Sequence, residues 1–232
     1  MKIGLIGNNI STSNAPDIHV RLAKIFQIPI EYLLFDLKDK EENYFVVLLE
    51  ELRVAGFKGV NITFPFKEKV IKHVDNISKN SRTVGSANTL IFRKKITAQN
   101  TDYTGFLKTY NFHFGKNTPG TILVLGAGGV SRAIYFGLAS LGAEKIFLID
   151  KDEIKANSLS KDLSNLNINC VVTKLDQIEK NNFFDKELIK SIDLPSGRAK
   201  IISKNNKNIL IDYAHNFCLL YTSPSPRDDA TS

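Results

Sequence analysis

Cysteine is scarce: the 232-residue chain has two, Cys170 and Cys218, too few for a disulfide framework and without the paired spacing of a zinc site. The four histidines, at positions 19, 73, 113 and 215, show no ligand spacing either, so no metal is expected. Apolar runs of membrane-spanning length and a signal-peptide pattern are both missing, which predicts a cytoplasmic protein with no membrane partner. No internal repeat is evident, which excludes a solenoid. Lysine and arginine exceed aspartate and glutamate, giving a formal charge of +7. These cations are scattered, often beside asparagine as in Lys204–Asn208, and form no basic stripe interleaved with aromatics, so nucleic acid is not an expected partner.

What is present fits a folded enzyme. Hydrophobic residues make up 43% of the chain, enough for a core, and the length suits one large or two small domains. Cys170 lies in an apolar run, where it reads as a small buried hydrophobe. Strand patterns near 2–7, 30–36, 58–64 and 86–93 alternate with helical patterns near 16–27, 43–55 and 66–74. That order predicts an open mixed α/β domain with crossover connections. A helix near 102–112 leads through the turn-rich Gly115–Gly120 into a second apolar strand.

The most informative stretch is Lys58–Glu68. Val60, Ile62 and Thr63 are β-branched and read as strand, while Pro65 ends it and suits the first turn of a helix. Lys67 then stands one turn past a strand end, at the mouth of a sheet; its plain alternative is a solvated first-turn lysine. Two other segments, Gly85–Leu90 and Gln99–Gly105, put amides, hydroxyls and a carboxylate beside short apolar runs, where strands hand over to turns. Ser11 and Ser13 occupy a loop between the first strand and a helix beginning near Pro16, where hydroxyls can bind an anion.

The second half carries its own signal. Thr121–Leu125 is a continuous apolar strand leading into Gly126-Ala127-Gly128-Gly129-Val130-Ser131, a variant of the dinucleotide fingerprint, followed by a helix with one apolar face ending at Gly142. A further strand ends at Asp150, placed to accept from ribose hydroxyls and to repel a 2′-phosphate. NAD is therefore the favoured cofactor. Lys151 speaks for NADP, since its ammonium can pair with a phosphate, and Asp150 as a simple helix cap is the alternative.

Taken together and in order, Ser11-x-Ser13, Pro16-x-Ile18-His19, Asn61–Glu68, Ser86–Thr89 and Asn100-Thr101-Asp102 resemble the shikimate dehydrogenase family over about the first 150 residues. The resemblance implies a substrate-binding and catalytic domain over 1–108 and a Rossmann-type NAD(P)-binding domain over 109–217, with a cleft holding substrate against cofactor. It also implies a small polyhydroxy carboxylate as substrate, a monomer or homodimer, and a place in aromatic amino acid biosynthesis. Lys67 and Asp102 match the catalytic pair; Ser11 and Ser13 match the pair that binds the substrate carboxylate; Thr63, Asn88 and Asp102 match contacts to ring hydroxyls. Gly126, Ala127, Gly128, Gly129, Val130, Asp150 and Lys151 fall on the cofactor side. Asn61 is expected to be structural, and His19 either structural or in contact. Tyr103 replaces a common glycine, leaving the choice between shikimate and quinate open.

The likeness fades further on. Ile192–Arg198 stands where the family has a cofactor-lining loop, and either Tyr213 or His215 stands near the family's tyrosine. Cys218–Asp228 resembles the translation of a transposase-type adapter residue for residue. Residues 218–232 are therefore read as a non-native tail on a gene shortened near Phe217, without the family's closing helices and their substrate-contacting glutamine. The competing functional readings are an inactive or regulatory nucleotide-binding member of the same fold and a folate-type methylene dehydrogenase, the latter disfavoured by Ser11, Ser13 and Asn100–Asp102.

Overall fold

In strand β1 (Lys2–Gly7), successive side chains point to opposite faces, and both faces are covered. Leu5 packs with Ile10, Ala15 and Tyr32, while Ile6 joins a larger cluster built on Phe45, Leu49, Ile62 and Leu90. The computed structural model describes residues 1–41, 43–128, 130–174, 177, 200–204 and 207–211. The chain divides into two units, one over Met1–Gly105 and the other beginning at Phe106.

In the first unit, β1 is followed by α1 (Ala15–Ile25), β2 (Glu31–Asp36), α2 (Tyr44–Val54) and β3 (Gly59–Ile62). Parallel pairing puts β1 between β2 and β3, as crossover helices require. A four-residue α3 (Phe66–Lys69), a 3₁₀ turn over Val70–His73, β4 (Asn76–Ile77) and α4 (Lys79–Val84) then lead into an antiparallel pair, β5 (Thr89–Phe92) and β6 (Ile96–Gln99). The strand order is β2-β1-β3-β5-β6-β4, a six-stranded mixed sheet. Helix α2 covers one face with Phe45, Leu48, Leu49 and Leu52, the i, i+3, i+4, i+7 stripe of an amphipathic helix. The helix expected over 66–74 is interrupted: its α part stops at Lys69. Helix α5 (Thr101–Phe114) follows β6 directly.

The second unit is a five-stranded sheet formed by β7 (Thr121–Leu125), β8 (Lys145–Ile149), β9 (Cys170–Val172), β10 (Lys200–Lys204) and β11 (Lys207–Ile211), ordered β10-β11-β7-β8-β9. All neighbours are parallel except β10 with β11. Helices α6 (Ser131–Ser140) and α7 (Glu153–Ser164) provide the crossovers, the doubly wound arrangement of a Rossmann-type domain. Helix α6 is buried more widely than the single face expected: every residue from Ala133 to Leu138 is buried. Among the described residues, no helix is long and apolar enough to cross a membrane.

Burial pushes the Cys170 thiol up to about 11, against a smaller opposing hydrogen bond with Ser160. Alkylation of Cys170 at pH 8, followed by peptide mapping, is expected to run roughly a hundredfold slower in the folded chain than in urea; equal rates would contradict the packing. Leu49→Ala, at a site 2% exposed, should cost about 2–5 kcal/mol of stability in denaturant titration. Val47→Ala on the outer side of the same helix, 52% exposed, should change it by less than about 0.5 kcal/mol.

Candidate active site

The end of β3 is tied down from both sides. Thr63 N–H donates to the Ile6 carbonyl at 2.9 Å, and Phe66 N–H donates to the Thr63 carbonyl at 2.9 Å across a cis Phe64–Pro65 peptide. Phe66 stacks on Phe45 with ring centroids 4.5 Å apart, anchoring the short helix α3 in the core. Its neighbour Lys67 consequently turns inward: Lys67 is only 6% exposed, not the solvated lysine that a first-turn position allows. Nζ donates to Asp102 Oδ2 at 2.8 Å, with the two side chains 7% and 4% exposed.

Asp102 is held just as firmly. Asn100 caps the start of α5, its Oδ1 accepting from Tyr103 N–H at 3.0 Å, while its Nδ2 donates to the Ser86 carbonyl and to Ser86 Oγ, both at 3.1 Å. Asn88 Oδ1 accepts from Thr101 N–H at 2.9 Å, and Asn88 Nδ2 donates to Thr101 Oγ1 at 2.9 Å. The residues before Asp102 are therefore pinned by the 86–88 segment. That segment is pinned in turn to Lys67 and β3: Ala87 N–H donates to the Lys67 carbonyl and Ile62 N–H to the Asn88 carbonyl, each at 2.8 Å. Asn100, Thr101 and Ser86 do this positioning, and the sequence signal for Asn100 is an N-cap residue between an apolar strand and a helix.

The remaining substrate-side candidates lie on β1, β3 and the loops that follow them, and at the start of α5. A Cβ on Gly7 would collide with Thr63 Cγ2, so only glycine lets β1 end this close to β3. Asn8 N–H donates to the Phe64 carbonyl at 2.9 Å, bringing the loop after β1 alongside Thr63. Within that loop Ser13 is half-buried and its Oγ accepts from Ala15 N–H at 3.2 Å, whereas Ser11 is exposed at the turn. Asn61 accepts from the Tyr32 hydroxyl at 2.9 Å. His19 stacks on Tyr32 with centroids 4.4 Å apart, and burial lowers its pKa against an opposing hydrogen bond to the Ala15 carbonyl. Tyr103 is buried in the first turn of α5.

In the second unit, Gly126 adopts a φ of 113°, a conformation that favours glycine, and its N–H donates to the Ile149 carbonyl at 2.7 Å. Asp150 Oδ2 accepts from Ala127 N–H at 2.6 Å and Oδ1 from Asp152 N–H at 2.7 Å. Asp150 thus fastens the glycine turn to the end of β8. Capping of α7 falls to Asp152, which accepts from Lys155 N–H at 3.1 Å. Val130 precedes α6, Gly128 accepts from Ser131 N–H at 3.0 Å, and Lys151 is exposed. Ser131 Oγ is fully buried with no hydrogen-bond partner, an orphaned polar atom beside the glycine turn where a dinucleotide pyrophosphate would bind. These residues fit such a cofactor. Gly129, Ile192–Arg198, Tyr213, His215 and the 218–232 tail lie outside the described residues.

The family profile for the shikimate dehydrogenase substrate binding domain matches residues 5–90, the stretch that builds the Lys67 side of this site. Over those residues this chain matches the substrate-binding domain of the shikimate dehydrogenase family. A shikimate dehydrogenase (NADP(+)) from Clostridium botulinum (strain Loch Maree / Type A3) is 32% identical over 167 residues, covering 71% of this chain and 64% of that relative. The chain thus spans a little under two thirds of the length of that curated relative. Among solved structures, quinate dehydrogenase from Corynebacterium glutamicum in complex with NAD superposes with a TM-score of 0.70 at 25% identity, over 78% of this chain and 66% of the other. A shikimate 5-dehydrogenase from Thermus thermophilus, in complex with NADP(H) and shikimate, gives 0.62 at 26% identity, over 74% and 62%.

The buried ion pair makes a sharp energetic prediction. Asp102→Leu alone strands an ammonium in the interior and should cost about 3–5 kcal/mol in urea unfolding, whereas Lys67→Met with Asp102→Leu should recover most of that loss. Additive losses in the double variant would show that the two groups are not coupled.

Proposed function

We propose that the activity built on this chain is the reversible NAD(P)-dependent reduction of 3-dehydroshikimate to shikimate, or of dehydroquinate to quinate. The observation that carries it is the 2.8 Å contact between Lys67 Nζ and Asp102 Oδ2, two buried groups. A nicotinamide dinucleotide, when bound, supplies or receives the hydride. Lys67 donates a hydrogen bond to the reacting oxygen and passes it a proton as the ketone becomes an alcohol, taking one back in the reverse direction. Asp102 keeps the ammonium aimed and accepts from a neighbouring ring hydroxyl. Asn88 and Thr63 bind further hydroxyls, and Ser11 and Ser13 take the substrate carboxylate. Gly126, Ala127, Gly128 and Val130 would hold the pyrophosphate, with Gly129 of the same sequence motif assigned to the same role.

The finer cofactor preference rests on Asp150. A fixed carboxylate at the tip of β8 disfavours a 2′-phosphate and supports NAD, with Lys151 as the residue that would allow NADP. The name of the Clostridium relative, which carries NADP(+), weighs on the other side.

In a chain extended to the full length of its relatives, kinetics with shikimate and quinate, each with NAD and with NADP, test the whole reading. Lys67→Ala should lower kcat about 10²–10⁴-fold while the dinucleotide Kd stays the same. Dinucleotide binding without turnover on either acid would favour a regulatory member of the fold instead. A lower KM for NADP than for NAD would overturn the role given to Asp150.

A further inference from the structure

We infer that Asp36 is a positioning residue of the substrate site: its carboxylate, at the end of β2, shapes the turn that carries Ser11 and Ser13 by accepting the backbone N–H groups of Asn9 and Ile10. The inference rests on the function proposed above, because it assigns that turn to the carboxylate of the substrate.

Strand register places the acid where it is needed. Gly7 and Asp36 are partners at the ends of β1 and β2, so Asp36 stands beside the point where the chain leaves the sheet for the turn. Oδ1 accepts from Asn9 N–H at 3.0 Å and from Lys38 N–H at 3.1 Å, and Oδ2 accepts from Ile10 N–H at 2.9 Å. Burial is the largest single influence and opposes the charge, but the N–H groups of Lys38, Ile10 and Asn9 together outweigh it and hold the carboxyl below its ordinary range.

These contacts fix an otherwise unfavourable backbone. Asn9 has a φ of +56°, in the left-handed region that non-glycine residues seldom enter. Successive N–H groups around such a residue form a concavity suited to an anion, and Asp36 fills it from within the chain. Beyond it the order is transmitted: Ile10 is 6% exposed in the apolar cluster of β1, its carbonyl accepts from Ser13 N–H at 2.9 Å, and Ser13 Oγ accepts from Ala15 N–H at 3.2 Å. An unbroken series of hydrogen bonds therefore runs from Asp36 to the hydroxyl assigned to substrate. Because Asp36 itself is exposed, its removal should disturb the turn without opening the core.

Asp36→Asn keeps the shape but replaces one acceptor oxygen with an N–H₂ that faces a donor. Calorimetry with shikimate, calorimetry with the dinucleotide, and amide hydrogen exchange at Asn9 and Ile10 test the variant beside Asp39→Asn, a neighbouring exposed acid. The expected result is a shikimate Kd raised roughly 10–100-fold, faster exchange at both amides, an unchanged dinucleotide Kd and a silent control. In the extended chain the same variant should raise KM for the acid and leave kcat within about twofold. Unchanged shikimate affinity, unchanged exchange, or an equal loss of dinucleotide affinity would overturn the inference. If the parent chain binds no shikimate at all while the two amides lose protection in Asp36→Asn, the functional reading fails and the anchoring of the turn stands.

Discussion

The first unit is organised around keeping an ammonium and a carboxylate together out of water. Removing either ion from solvent costs several kcal/mol even after relaxation, and attraction between them offsets that only when geometry and neighbouring hydrogen bonds are good. The neighbours meet that requirement. Phe66 anchors one side of the Lys67 turn in the core, Asn100 and Asn88 clamp the residues next to Asp102, and the 86–88 segment joins the two ends. The switch from parallel to antiparallel pairing at β3 and β5 makes this possible. It returns the chain so that the start of β5 and the start of α5 arrive at the same end of the sheet as Lys67.

The second unit solves a different problem, a tight turn where β7 hands over to α6. Gly126 provides the conformation, and Asp150 crosses from the next strand to fix it. That carboxylate keeps lone pairs beyond the two hydrogen bonds it accepts, so fastening the turn and meeting a ribose hydroxyl are compatible tasks. In both units an acid at a strand end stabilises the loop after the neighbouring strand: Asp36 for the Ser13 turn, Asp150 for the glycine turn.

Much of this was legible in the residue order. The β-branched run before Pro65, the apolar strand before Gly126 and the stripe in Tyr44–Val54 depend on local sterics and periodicity, which sequence displays directly. The strand expected over 86–93 starts only at Thr89; upstream, the backbones of Ser86 and Ala87 spend their hydrogen bonds on Ser81, Asn100 and Lys67 instead of a neighbouring strand. Strand β4 and the bounds of β6 are not legible in the sequence because both are short and β6 is half polar, with Thr97 and Gln99 among its four residues. The inward turn of Lys67 is a tertiary effect: nothing local separates it from Lys69, which is exposed in the same short helix. The anchoring role of Asp36 is illegible for the same reason, since the two partners in the Ser13 turn are 26 and 27 residues away.

Lys67 and Asp102 are separated by 35 positions, with β4, α4, β5 and β6 between them. The ion pair is therefore a long-range contact, made only once the antiparallel hairpin of β5 and β6 has brought the start of α5 back to Lys67. Its formation is thus coupled to the closing of that hairpin rather than to any local helix or turn.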